Sequence, residues 1–209
     1  MKTETPVSLA YAYQDSLYLN ITPKCPTACT FCIKFSWDYQ YRGHNLLLPK
    51  EPSVDEVVAA AGDVSSYKQI IFCGYGESTY RLEPMRQIAA ALKKKGAKSF
   101  RLNTIGLGNA INQRDIAPDL GTFLDAVSIS LNTLNPQRWM ELHQPQPQFR
   151  EHGFESVIDF IRCCVKHIPQ TWVSAVEGAE INSAEFTKFV ENLGAQARIR
   201  PHLDDYEAV

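Results

Sequence analysis

"SLYLNITPKCPTACTFC" occupies residues 16–32. Its first part, "SLYLNIT" (16–22), alternates apolar and polar positions and is rich in β-formers, which predicts a first strand. That strand runs straight into Cys25, Cys29 and Cys32, spaced C-x-x-x-C-x-x-C. A strand that empties directly into a cluster of ligand-type side chains is typical of folds that gather chemistry at strand ends.

Outward from this stretch, strands and helices alternate. Residues 30–41 read as a short aromatic-rich helix, followed by a loop with Gly43 and Pro49. "SVDEVVAAAG" opens with a capping box, Ser53 with Glu56, and Gly62 stops the helix. "KQIIFCGYGE" (68–77) is a second strand entering a glycine loop, and "EPMRQIAAALKKKG" a helix closed by Gly96. Strands follow at 99–104, 126–133, 171–177 and 197–201, with a short helix expected near 113–120. "NPQRWMEL" starts a helix that "HQPQPQF" breaks, and Phe154, Val157, Ile158, Ile161, Val165 and Ile168 mark another by their spacing. Ser183 reads as the cap of the last helix, with Phe186, Phe189, Val190 and Leu193 on its apolar face. Such alternation builds parallel strands with right-handed crossovers. A closed eight-unit barrel typically needs about 250 residues. The expectation is therefore an α/β fold, a partial (β/α)6 TIM-like barrel open on one side, with a doubly wound sheet as the alternative. One domain over residues 1–209 is expected, without an auxiliary-cluster extension.

The composition sets outer limits. Hydrophobic residues make up 44% and charged residues 21%, a globular balance, and a net charge of −2 gives no global electrostatic case for nucleic acid or membrane. No stretch approaches the roughly 20 apolar residues of a membrane span, and "MKTETPVSLAYAYQ" lacks the apolar core of a signal peptide. A soluble, cytoplasmic protein is expected. In that compartment the spacing of the three cysteines is poor for disulfides and good for a metal.

The other polar clusters also fall at strand ends: "GYGEST" (74–79), Asn103 and Thr104, "SISLNT" (128–133), Glu177, and Arg198, Arg200 and His202. From the cysteines alone two readings stay open. Three thiolates leave one iron of a 4Fe–4S cluster without a protein ligand; zinc would need a fourth ligand such as His44. Phe31, between the last two cysteines, suits a cluster that needs apolar shielding.

"CPTACTFC" after a first strand is similar to the radical SAM signature, including the aromatic before the last cysteine. "GYGES" looks like the glycine-rich motif that binds the amino group of the SAM methionine, although the usual proline after the glutamate is Ser78 here. "SISLNT" resembles that superfamily's fourth-strand ribose contact. Together with "IFCGYGEST", the "LH" at 142–143 and "ARIRP", these stretches resemble the TatD family-associated radical SAM proteins over roughly residues 9–203. The resemblance implies a 4Fe–4S cluster on Cys25, Cys29 and Cys32, with S-adenosyl-L-methionine chelating the open iron and cleaved to a 5′-deoxyadenosyl radical. Cofactor contacts are implied for Phe31, Gly74, Tyr75, Gly76, Glu77, Ser78, Asn103, Ser130, Asn132 and Glu177. It also implies an electron donor such as flavodoxin or ferredoxin and an association with a TatD-type nuclease. The substrate, small molecule or macromolecule, is not identified by it.

Each residue also has a plainer reading. Gly74 and Gly76 permit a tight turn. Ser130 and Asn132 share strand parity, so a SAM role is favoured over internal hydrogen bonds only if their face points inward. Cys73 reads as a small buried hydrophobe, and of Cys163 and Cys164 at least one should face the core. Lys34, Arg42, Arg198, Arg200 and His202 are candidate substrate contacts, against solvated charges. Trp37 and Tyr39 extend the first two into a stretch that can stack bases or pack around the cysteine loop. Two other functions compete: an activase that installs a glycyl radical in a partner protein, and a non-catalytic zinc or iron–sulfur binding module.

Overall fold

The computed structural model describes residues 6–178 and 181–201. They form two compact units, one holding residues up to 25 and 32–99, the other residues 26–31 and 100 onward.

In the first unit β1 (Ala10–Tyr13) folds back antiparallel on β2 (Ser16–Leu19) through a turn at Gln14 and Asp15, with Gln14 in the left-handed region at φ 53°. The sequence reading missed β1, although "AYAY" alternates as β2 does. β2 pairs in parallel with β5 (Gln69–Phe72). Between them lie α1 (Ile33–Ser36), a small hairpin of β3 (Gln40–Tyr41) and β4 (His44–Asn45), and α2 (Val54–Ala61). The expected helix over 30–41 is thus four residues long. The hairpin replaces the rest because Arg42 and Gly43 both take positive φ, 48° and 79°, the geometry of a two-residue strand reversal. α2 carries its full capping box: Ser53 Oγ accepts from Glu56 N at 3.2 Å, and Glu56 Oε2 accepts from Ser53 N at 2.6 Å. α3 (Leu82–Lys94) closes the unit, burying Met85, Ile88, Ala89 and Leu92. With Leu17, Leu19, Ile70, Ile71 and Phe72 these make its core.

The second unit holds β6 (Phe100–Thr104), α4 (Gly108–Asn112), α5 (Ala117–Leu120), β7 (Ala126–Ser130), α6 (Pro136–His143), α7 (Gly153–His167), β8 (Gln170–Val176), α8 (Ser183–Asn192) and β9 (Gln196–Arg200). β6, β7, β8 and β9 pair in that order, all in parallel. The fold class is α/β with mostly parallel strands, as read. The short helix expected near 113–120 is α5, and a second short helix, α4, precedes it outside that range. α8 is capped by Asn182, whose side chain accepts from Ala184 N and Glu185 N, and not by Ser183.

Register gives this unit two unlike faces. Leu102, Thr104, Val127, Ile129, Val173 and Ala175 are buried on one. On the other, Asn103 aligns with Ser128 and Trp172, and Ser130 with Ser174 and Arg198. That second face is polar and only partly covered.

Candidate functional site

The cysteine loop is held by the end of a helix. The last carbonyls of an α-helix have no partner within it. In α6 those of Leu142 and His143 accept from Thr30 N at 2.9 Å and Ala28 N at 3.1 Å, so the loop's own backbone completes the helix. Asn135 caps the other end, accepting from Arg138 N at 2.9 Å, and Pro136 fills the first position. Gln144 then takes a left-handed φ of 43°, which with Pro145 ends the helix.

This docking brings Cys29, 9% exposed, against His143, which is fully buried. Cys29 Sγ lies 3.4 Å from His143 Nδ1 and 3.3 Å from Thr27 Oγ1. The imidazole is sandwiched between Trp139, stacked at 4.9 Å, and Phe31, edge-on at 5.3 Å. Gly153 makes room for that indole, since a Cβ there would stand 2.6 Å from Trp139. Burial pushes the His143 pKa down to about 4, with the Leu131 carbonyl opposing the fall, so the ring is neutral at pH 7. Its Nε2 lies 3.3 Å from Asn132 Nδ2, and Asn132 Oδ1 accepts from Val176 N at 3.2 Å. Asn132 does not continue the alternation of Ser130: β7 ends at Ser130, and Asn132 has φ 65° and is 6% exposed. Ser130 instead accepts from Arg200 Nη2 at 3.5 Å.

In the other unit the glycine loop closes on the end of β2. Cys73 N donates to Leu19 O at 3.1 Å and Glu77 N to Lys24 O at 2.8 Å. A Cβ on Gly74 would stand 2.2 Å from Asn20 Oδ1, and one on Gly76 2.0 Å from Thr22 O. Both glycines are required by packing, whatever else they do. Glu77, 3% exposed, accepts from Thr79 N at 3.1 Å and Thr79 Oγ1 at 2.9 Å. Ser78 is buried in the turn that follows. Tyr75 donates to Gln40 O at 2.9 Å; burial first, then Cys32, pushes its phenol pKa up. Tyr80 is raised in the same way, by burial first and then by Cys25 and Glu77.

The remaining candidates scatter. Lys34 is 8% exposed, its Nζ 4.8 Å over the Phe35 ring. Arg42 lies 4.4 Å over Tyr13, in an aromatic cluster with Tyr11, Tyr41 and His44. Glu177 and Arg198 are exposed, and His202 lies outside the described residues. Cys73 is half-buried just past β5, rather than inside a strand as expected, while Cys164 faces the core. Sequence reasoning missed His143 as an individual residue; the "LH" pair was its only signal.

Among the described residues no group of three His, Cys, Asp or Glu side chains stands ready around a metal. His44, the zinc reading's fourth ligand, is hydrogen-bonded to Ser8 and packed on Tyr11. None of the cysteines is in a disulfide. Three unbridged thiols on one loop, the middle one faced by two groups able to donate to sulfur, fit an iron–sulfur cluster with one open iron. On the polar face, Asn103 Oδ1 and Ser174 Oγ are buried and lack hydrogen-bond partners. A polar ligand such as SAM would satisfy them.

A family model for the radical SAM superfamily matches residues 19–193, from the last residue of β2 to the residue after α8. The chain belongs to the radical SAM superfamily. No curated protein sequence matches it significantly. Solved structures share the fold at low identity. SuiB of Streptococcus suis bound to its precursor peptide SuiA is 13% identical, with a TM-score of 0.64, covering 96% of this chain and 42% of that one. The hydrogenase maturase HydG of Carboxydothermus hydrogenoformans is 15% identical, TM-score 0.62, covering 93% and 45%. TYW1 with a lysine–pyruvate adduct bound is 13% identical, TM-score 0.59, covering 93% and 68%. SuiB has also been solved bound to S-adenosylmethionine. The chain thus spans less than half the length of SuiB and HydG. The likeness is of fold: mostly parallel α/β, consistent with an open partial barrel. Among the described residues no helix is long and apolar enough to cross a membrane.

Proposed function

We propose that the chain is a radical SAM enzyme whose Cys25, Cys29 and Cys32 hold a 4Fe–4S cluster, with SAM completing the fourth iron. The carrying observation is the unbridged three-cysteine loop that follows β2 in a chain of this superfamily. When bound, cluster and SAM supply a one-electron cleavage that yields methionine and a 5′-deoxyadenosyl radical for hydrogen abstraction.

The chain's own residues supply position and shielding. Cys29 is fixed by the docking of residues 28 and 30 on α6, and Phe31 covers the His143 ring beside it. Glu77 offers a buried carboxylate to the SAM ammonium; Thr79 holds it in place. Asn103 Oδ1 and Ser174 Oγ offer acceptors to the ribose hydroxyls, with Ser130 on the same face. Arg198 and Arg200 supply positive charge for an acidic group on the substrate.

Within the superfamily, the stretches "LYLNITPKCPTACTFC", "IFCGYGEST", "LH" and "ARIRP" favour the TatD-associated group, acting in the cytoplasm with a flavodoxin- or ferredoxin-type reductant. Anaerobic reconstitution tests the reading. About four irons per chain and the absorbance of a single cluster are expected. Stoichiometric zinc with no iron–sulfur absorbance would sink it.

A further inference from the structure

The proposed chemistry makes no use of His143, yet the imidazole is one of the most confined polar groups in its unit. Of the side chains around the ring, Cys29 brings its sulfur to Nδ1 and Asn132 its amide nitrogen to Nε2. A half-turn of the ring would set carbon atoms against both, so the contacts fix its orientation. The amide of Asn132 is fixed in turn. Val176 N–H donates to Oδ1; exchanging oxygen and nitrogen would set that N–H against an NH2 group. Nδ2 therefore faces Nε2, and it has only hydrogens to offer. Nε2 must accept, which leaves the ring's proton on Nδ1, aimed at sulfur. The Leu131 carbonyl also faces the ring. A proton on Nε2 would oppose the Asn132 amide hydrogens.

We propose that His143 is a positioning residue for Cys29: Asn132 locks its ring as the Nδ1–H tautomer, and that N–H donates a hydrogen bond to the Cys29 sulfur. The inference rests on the reading of Cys29 as a cluster ligand. The local need is physical. α6 ends at this point with its carbonyls, which disfavour a thiolate. An N–H from His143 and the hydroxyl of Thr27 offset that by charge-assisted hydrogen bonds. A donor to a cluster-ligating sulfur also stabilises the added electron, so it raises the reduction potential.

The test has two arms. In the full-length protein without cluster, ¹⁵N spectra of labelled histidine should show His143 as the Nδ1–H tautomer. Asn132→Asp, which offers Nε2 an acceptor in place of a donor, should convert it to Nε2–H. In reconstituted protein, His143→Leu should lower the cluster's midpoint potential, and His143→Gln, which keeps an amide N–H, should recover part of the loss. An Nε2–H tautomer in the unmodified protein overturns the proposal, as does an unchanged potential in His143→Leu. Where His143→Leu fails to fold, the unmodified protein's spectrum alone decides. If the Nδ1–H tautomer is found and no preparation takes up iron, the ring geometry stands and the cluster reading falls.

Discussion

The glycine loop after β5 and the cysteine loop docked on α6 carry motifs that read equally well in sequence, yet they are built differently. Around Gly74 and Gly76 the motif is a matter of backbone. Two Cβ atoms are missing because β2's end occupies their space, and Glu77 turns back on a neighbour two residues away. Around Cys29 the backbone only delivers the loop. Beside the local hydroxyl of Thr27, the environment of its sulfur comes from residues more than a hundred positions later, His143 and, through it, Asn132. A local motif can be read from spacing; the surroundings that tune it cannot.

The widest gap between the two regions should appear in metal content. Replacing Cys25, Cys29 or Cys32 by Ala should abolish the cluster. Replacing Cys73, Cys163 or Cys164 should leave it, as iron analysis will show. If Cys73→Ala also loses the cluster, the glycine loop is part of the metal centre and the contrast breaks.

Stability comes next. Gly76→Ala forces a Cβ to within 2.0 Å of a backbone oxygen, where nothing flexible can give way. Overpacking of this kind typically costs about 1–3 kcal/mol, read as a lowered urea midpoint. Gly178→Ala, with open space around the new methyl, is the control and should change little. A neutral Gly76→Ala would mean that packing does not explain the glycine.

Glu77→Gln sharpens the comparison further. It keeps an oxygen for Thr79 but removes the charge. A charged hydrogen bond is worth about 1.5–3 kcal/mol, so SAM affinity should fall roughly tenfold or more while the cluster remains. Equal affinity in isothermal titration would leave Glu77 with its capping role alone.

The smallest effect concerns a helix cap. Asn182→Ala should cost about 1 kcal/mol of stability and Ser183→Ala close to none, since Asn182 makes both capping bonds. The reverse order would restore the sequence assignment.

What the sequence disclosed follows the same division. The strand–helix alternation, the capping box of α2 and the apolar face of α7 were legible because each depends on neighbours within about a turn or two. The β3–β4 hairpin was not: its strands are two residues each, too short for periodicity to register, and Arg42 adopts a positive φ that its type does not announce. Asn132 misled the parity argument for the same reason, as a left-handed residue just past β7. His143 was hidden by its role. In sequence it opens the helix-breaking "HQPQPQF", and nothing there announces the burial between Trp139 and Phe31 that keeps it neutral.

If this three-cysteine loop supports radical SAM chemistry, the chain cleaves SAM reductively. The most direct measurement is formation of 5′-deoxyadenosine by anaerobically reconstituted protein given SAM and dithionite. The unmodified chain should form 5′-deoxyadenosine and Cys29→Ala none. A protein that holds its iron and binds SAM, yet forms no more 5′-deoxyadenosine than Cys29→Ala, would contradict this reading.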